Sequence, residues 1–162
     1  MADKLEALTA LSPREAVADA LQRCLLGVDS NNRALFESGC VKDESMVVYA
    51  GDIKLEGWNA IGSFFDRVFT MVTHHMISNV RVEVKDGADT ASMSAHAVAR
   101  HIRPEDALKV EDTSYTGGCL YVIDLVKDGG DGLWKIKRWE LKLLWTTGDR
   151  AIVRGEDVAA TA

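Results

Sequence analysis

Three long runs dominate the second half of the chain: Thr90 to Ile102, Tyr115 to Val126, and Leu133 to Trp145. The second and third are joined by Lys127-Asp128-Gly129-Gly130-Asp131-Gly132, a turn-forming stretch. All three read as strands. A fourth strand precedes them, because Val80, Val82 and Val84 alternate with Arg81 and Glu83, and Lys85-Asp86-Gly87-Ala88-Asp89 then turns the chain back. In the last run, Trp134 and Ile136 share one parity while Trp139, Leu141, Leu143 and Trp145 share the other. A β-bulge near Lys137-Arg138 restores one buried face and bends the strand. Tyr115 to Val126 is apolar on both parities, the pattern of a central strand covered on both faces.

The first half is helical. Ser12-Pro13-Arg14-Glu15 has the form of a capping box with proline at the first helical position. A helix should follow, burying Val17, Ala20, Leu21, Cys24, Leu25 and Val28 as one stripe. Ser45 to Ala50 and Ile53 to Leu55, around Gly51-Asp52, read as a short hairpin. Trp58 to Met71 then places Ile61, Phe64, Phe65, Val68 and Phe69 at helical spacing. Helices, hairpin, helix and long strands make an α+β chain of one domain over 1–162, with a core at about 13–147 and flexible termini. The helices gather on one face of a bent antiparallel sheet.

The totals narrow the partners. A net charge of −6 gives no general attraction to nucleic acid or anionic membranes, and no stretch has the length of a membrane span. Three cysteines without metal-type spacing imply reduced thiols, and the acidic N-terminus lacks a secretory pattern, so a cytoplasmic location is expected. No metal and no cofactor is expected. The apolar strand surface exceeds what one layer of helices covers, which points to self-association as a homodimer or homotrimer.

Chemistry concentrates at Thr73-His74-His75-Met76-Ile77-Ser78-Asn79, where the helical pattern gives way to the strand pattern. Adjacent histidines on a strand face opposite ways, so one of the two rings points inward. That ring is either a packed core group or a proton carrier. His101 ends a strand whose Ala95, Ala97 and Ala99 share its face, leaving either a cavity or room for a close helix. Asp29 ends the first helix, where the dipole disfavours it; it either caps the turn through Ser30-Asn31-Asn32 or serves the site. Tyr49, near a strand end, either packs with its hydroxyl in water or donates to a substrate oxygen.

Val28-Asp29-Ser30, Tyr49, Thr73 to Ile77, His101 and Gly132-Leu133-Trp134-Lys135-Ile136, in this order, resemble the SnoaL-like branch of the nuclear transport factor 2-like superfamily and its scytalone dehydratase-like members. The resemblance covers about Pro13 to Trp145. It implies a cone-shaped sheet wrapped around helices and a deep apolar pocket. It also implies roles: Asp29 orienting His101, His75 moving the proton, and Tyr49 polarising a carbonyl. The pocket implied is lined by Val28, Phe64, Asn79, Ala99, Leu120, Val122, Trp139 and Leu143. Val28 stands where those members have a second tyrosine, and on an ungapped alignment Leu120 and Val122 replace a serine and an asparagine. The expected activity is therefore a cofactor-independent dehydratase, isomerase or cyclase acting on a small apolar cyclic substrate, such as a polyketide or terpenoid intermediate of secondary metabolism. A non-catalytic module that binds an apolar ligand or mediates assembly is the alternative.

Overall fold

A computed structural model describes residue 8, residues 10–109 and residues 113–154. Of the ends expected to be flexible, about 1–12 and 148–162, residues 1–7, 9 and 155–162 lie outside the described residues. The capping box forms: Glu15 Oε2 accepts from the Ser12 N–H at 2.7 Å, and the Ser12 side chain accepts from Glu15 N–H. Helix α1 runs Pro13–Asp29 and buries the predicted stripe. Asn32, not Asp29, caps α2 (Arg33–Ser38), accepting from Leu35 N–H at 3.1 Å. The two helices touch so closely that a Cβ at Gly27 would run into the Phe36 backbone, which explains a glycine inside α1.

Strands β1 (Val47–Ala50) and β2 (Ile53–Glu56) form the predicted hairpin, and α3 (Trp58–Val68) follows. The long strands are β3 (Val72–Val84), β4 (Thr90–Ile102), β5 (Ser114–Lys127) and β6 (Trp134–Gly148), and α4 (Ala151–Arg154) is the last described element. They make one six-stranded sheet in the order β2-β1-β6-β5-β4-β3, antiparallel except where β1 meets β6. The sheet curves around the N-terminal helices as an open cone.

Three bulges help to bend it. Asp124 faces Arg138 and Leu125 faces Ile136, so Lys137 is the extra residue, as the parity slip predicted. A second lies at Leu144, between the Gly118–Trp145 and Cys119–Leu143 pairs. The third, in β3, sets Asn79 and Val80 against Ala95, and Asn79 takes a left-handed φ of 52°. Because of the first bulge, Trp134, Ile136 and Trp139 all enter the core with the α1 stripe, Phe36, Ile61, Phe65 and Tyr121.

Strand β5 differs from expectation. Its Tyr115, Cys119, Tyr121, Ile123 and Leu125 are buried, but on the opposite parity Thr116, Leu120, Val122 and Val126 are only half-buried. Helices α1, α2 and α3 pack on the other face, with the inward parity of β5. The apolar outward parity instead belongs to a convex face that also exposes Met76 and Trp145, and the Trp145 ring lies where a Cβ on Gly118 would stand.

Candidate active site

Register and parity decide which sequence-flagged residues meet. Strand β3 starts at Val72, earlier than the alternating valines suggest, so His74 and His75 are both in the sheet and face opposite ways. His74 is exposed, whereas the His75 side chain is only 8% exposed. His75 points at the end of α1. There Asp29 Oδ1 lies 2.7 Å from His75 Nδ1 and accepts from the Thr73 hydroxyl at 2.7 Å, while Oδ2 accepts from the His75 backbone N–H at 2.7 Å. The misplacement of an acid at the negative end of a helix thus has its reason in β3.

Burial alone would raise the Asp29 pKa, but the His75 ring, the His75 N–H and the Thr73 hydroxyl outweigh it and hold the carboxyl below its ordinary value. An ionised carboxylate at Nδ1 places the ring proton there. In the neutral ring, Nε2 then carries the lone pair. This is a base oriented and electrostatically supported by a carboxylate.

His101 stands beside it, its ring centroid 5.8 Å from that of His75 and nearly perpendicular. Asp29 therefore pairs with His75, not with His101 as the resemblance implied. Desolvation, with a smaller push from His75, lowers the His101 pKa to about 4, so its imidazole is neutral at ordinary pH. The nearby Tyr115 backbone and Asp29 favour its charged form without prevailing. His101 Nδ1 is buried without a partner in hydrogen-bonding geometry.

The remaining residues divide by face. Val28, Ala99 and Trp139 are buried on the concave side, and Phe64 packs at the edge of the core, its ring 5.4 Å from Phe65. Leu143 shares that side, near Gly117 and the Tyr115 ring, yet is 41% exposed, so the concavity is open at this end. Leu120 and Val122 face outward, because inward neighbours Cys119, Tyr121 and Ile123 fix the parity. Asn79 is also outside, 3.0 Å from the exposed His96 Nδ1. Tyr49 is outside as well: its neighbour Val48 is in the core, and the Tyr49 ring stacks under Arg138 at 5.1 Å. It cannot polarise a group held at His75.

The sequence reading missed Tyr115. It faces His101 across the β4–β5 ladder, with ring centroids 6.1 Å apart, and is 8% exposed. Burial pushes its pKa up, so it keeps its proton. The signal was available: Tyr115, Gly117, Cys119 and Tyr121 share one parity directly beside the alanine face. Two open surface grooves, one along 83–92 with 124–126 and one along 14–18 with 80–83, contain none of these groups. Among the described residues no three His, Cys, Asp or Glu side chains gather as a metal set, and no helix is long and apolar enough to cross a membrane.

The SnoaL-like domain model matches residues 9–140, the span that carries the Asp29–His75 pair and the fold as far as the middle of β6. This chain belongs to the SnoaL-like family. A curated relative, terrestric acid biosynthesis cluster protein E of Penicillium crustosum, is 39% identical over 144 residues, covering 88% of this chain and 90% of its own. Among solved structures, a candidate scytalone dehydratase of Novosphingobium aromaticivorans superposes with a TM-score of 0.68 at 23% identity, over 83% of this chain and 85% of that one. A type 2 hexachlorocyclohexane dehydrochlorinase gives 0.64 at 20% identity, over 83% and 86%. At these identities the two structures establish the shared SnoaL-like fold.

Proposed function

We propose that this SnoaL-like chain is a cofactor-independent acid–base enzyme of secondary metabolism, acting as a lyase or isomerase on a small, largely apolar cyclic substrate. The observation that carries the reading is the Asp29–His75 pair, with the Nδ1 side of the ring occupied by the carboxylate. The relative from a terrestric acid cluster supports the metabolic setting, and the dehydratase and dehydrochlorinase neighbours support elimination chemistry.

In the elimination, His75 Nε2 takes a proton from the carbon next to an activating group. The C–H electron pair becomes the new double bond as the leaving group departs from the adjacent carbon. For a hydroxyl leaving group, the same imidazolium returns its proton to the departing oxygen, releasing water and restoring the base. Asp29 stabilises the imidazolium in between. Neutral His101 is a hydrogen-bonding neighbour of the reacting group, not a cation. An isomerisation uses the first half of this cycle and returns the proton to a different carbon.

The experiment is to follow conjugated-enone absorbance from a panel of cyclic β-hydroxyketones and, in D2O, exchange beside their carbonyls. Wild type should show one or both, and His75→Ala neither. Binding of the panel without exchange or water loss would instead favour a ligand-binding module. Self-association through the convex face belongs to the same proposal. Light scattering at micromolar concentration should give a dimer or trimer, and a monomeric mass would remove it.

A further inference from the structure

One cross-strand row links the two ends of the site. Thr73 on β3, His101 on β4, Tyr115 on β5 and Gly148 on β6 are successive partners. Three strand spacings separate its ends, about 14 Å. At the Thr73 end lies Asp29, with His75. At the Gly148 end the chain turns into Asp149 and α4.

That turn is firmly held. Asp149 N–H donates to the Ser114 carbonyl at 3.0 Å, and the Asp149 carboxylate accepts from Ala151 N–H at 2.9 Å and from Arg103 at 3.3 Å. Ile152 is 3% exposed, and Arg67 of α3 donates to the carbonyls of Val153 and Ile152 at 3.1 and 3.3 Å. These contacts fix where Arg150 and Arg154 begin. They stand one helical turn apart, Arg154 N–H donating to the Arg150 carbonyl, and neither guanidinium has an ion pair among the described residues. Both positive charges reach the Tyr115 phenol, partly countering its burial. In a chain of net charge −6, two exposed arginines with no ion pair among the described residues therefore start next to the row that carries Tyr115 and His101.

Resting on the acid–base reading, we propose that the substrate is a small acid. Its carboxylate or ionised enol is held by Arg150 and Arg154, with the Tyr115 hydroxyl as a further donor, while its reacting carbon lies at His75. The separation has a physical purpose. The Asp29–His75 pair is anionic before it takes a proton, so an acidic substrate is repelled from that end and attracted to the other. Arginine forks bind planar oxyanions through paired hydrogen bonds. The row thus orients the ligand as well as retaining it.

The test compares 2-naphthoate with 2-naphthamide, which share shape and differ in charge, by calorimetry on the full chain. Naphthoate should bind wild type roughly tenfold more tightly, the scale of one or two charge-assisted hydrogen bonds. The preference should vanish in Arg150→Gln/Arg154→Gln and persist in Arg14→Gln/Lys85→Gln, which removes two charges away from the row. Equal affinity of the two probes, no naphthoate binding at millimolar concentration, or a preference that survives loss of both arginines would each overturn the proposal. Matching melting temperatures confirm folding, and each single arginine variant should lose part of the preference. His75→Ala separates the two readings: it abolishes turnover if His75 is the base, yet leaves the naphthoate preference unchanged.

Discussion

Helix α1 carries two carboxylates ten positions apart that both reach a cationic or basic partner, and the two pairs are built differently. Asp19 meets Arg23 at 2.7 Å, one turn along the same helix. Arg23 also donates to the Ser38 carbonyl and hydroxyl and to the Trp134 carbonyl, at 2.7 Å for the last, and is 3% exposed. Three elements are tied together, and the guanidinium faces protein on every side. Asp29 meets His75 at the same distance but leaves one ring nitrogen free, beside a second histidine and an open concavity. A buried ion pair enclosed by acceptors is a structural joint. One that keeps a lone pair available is poised for chemistry.

This contrast breaks if the pairs respond alike to mutation. His75→Ala should slow turnover by roughly 10²–10⁴-fold while the fold survives, since Asp29 keeps the Thr73 hydroxyl and a backbone N–H. Activity at the wild-type rate in a folded variant would end the enzymatic reading. Arg23→Met should do the reverse, costing about 3–5 kcal/mol in urea titrations because Asp19 is left charged and buried, with little change in turnover per folded molecule. Thr73→Val sharpens the comparison. Losing one donor to Asp29 should cost about 1 kcal/mol and slow turnover several-fold.

Acidification probes the same contrast more gently. His101 has a folded pKa of about 4, below its ordinary 6.5, so the unfolded chain takes up this proton first. Its contribution to stability is complete above pH 6.5 and is lost as pH falls from there to about 4. Asp29, also lowered, acts in the same direction at lower pH. In His101→Gln the decline between pH 6.5 and 4 should flatten, as thermal melts across that range would reveal. The smallest effect belongs to Tyr49→Phe. With its ring outside under Arg138, turnover should be unchanged and stability should move by no more than about 0.5 kcal/mol.

Local rules made much of this legible. The capping box, the alanine face of β4 and the bulge at Lys137 each follow from residues within a few positions of one another. What escaped depends on distant pairing. Tyr49 sits on a four-residue strand whose inward parity is set by Val48 lying beside Trp139, far along the chain. Leu120 and Val122 were placed inside by an alignment one residue out of phase, and one residue on a strand is the opposite face. Asp29 could be flagged as misplaced on its helix, but its choice of His75 over His101 depends on where β3 passes the end of α1.

Lys137 behaves like a single-letter insertion in a reading frame. Upstream, Trp134 and Ile136 are read inward; if Lys137 were read as an ordinary letter of the strand, Arg138 and Glu140 would be inward after them, and Trp139 would be turned to the outside. Deleting Lys137 would therefore keep Trp139 inward and remove only the bulge, and with it this part of the sheet's bend. The identity of that exposed residue matters less than its being left out of the count.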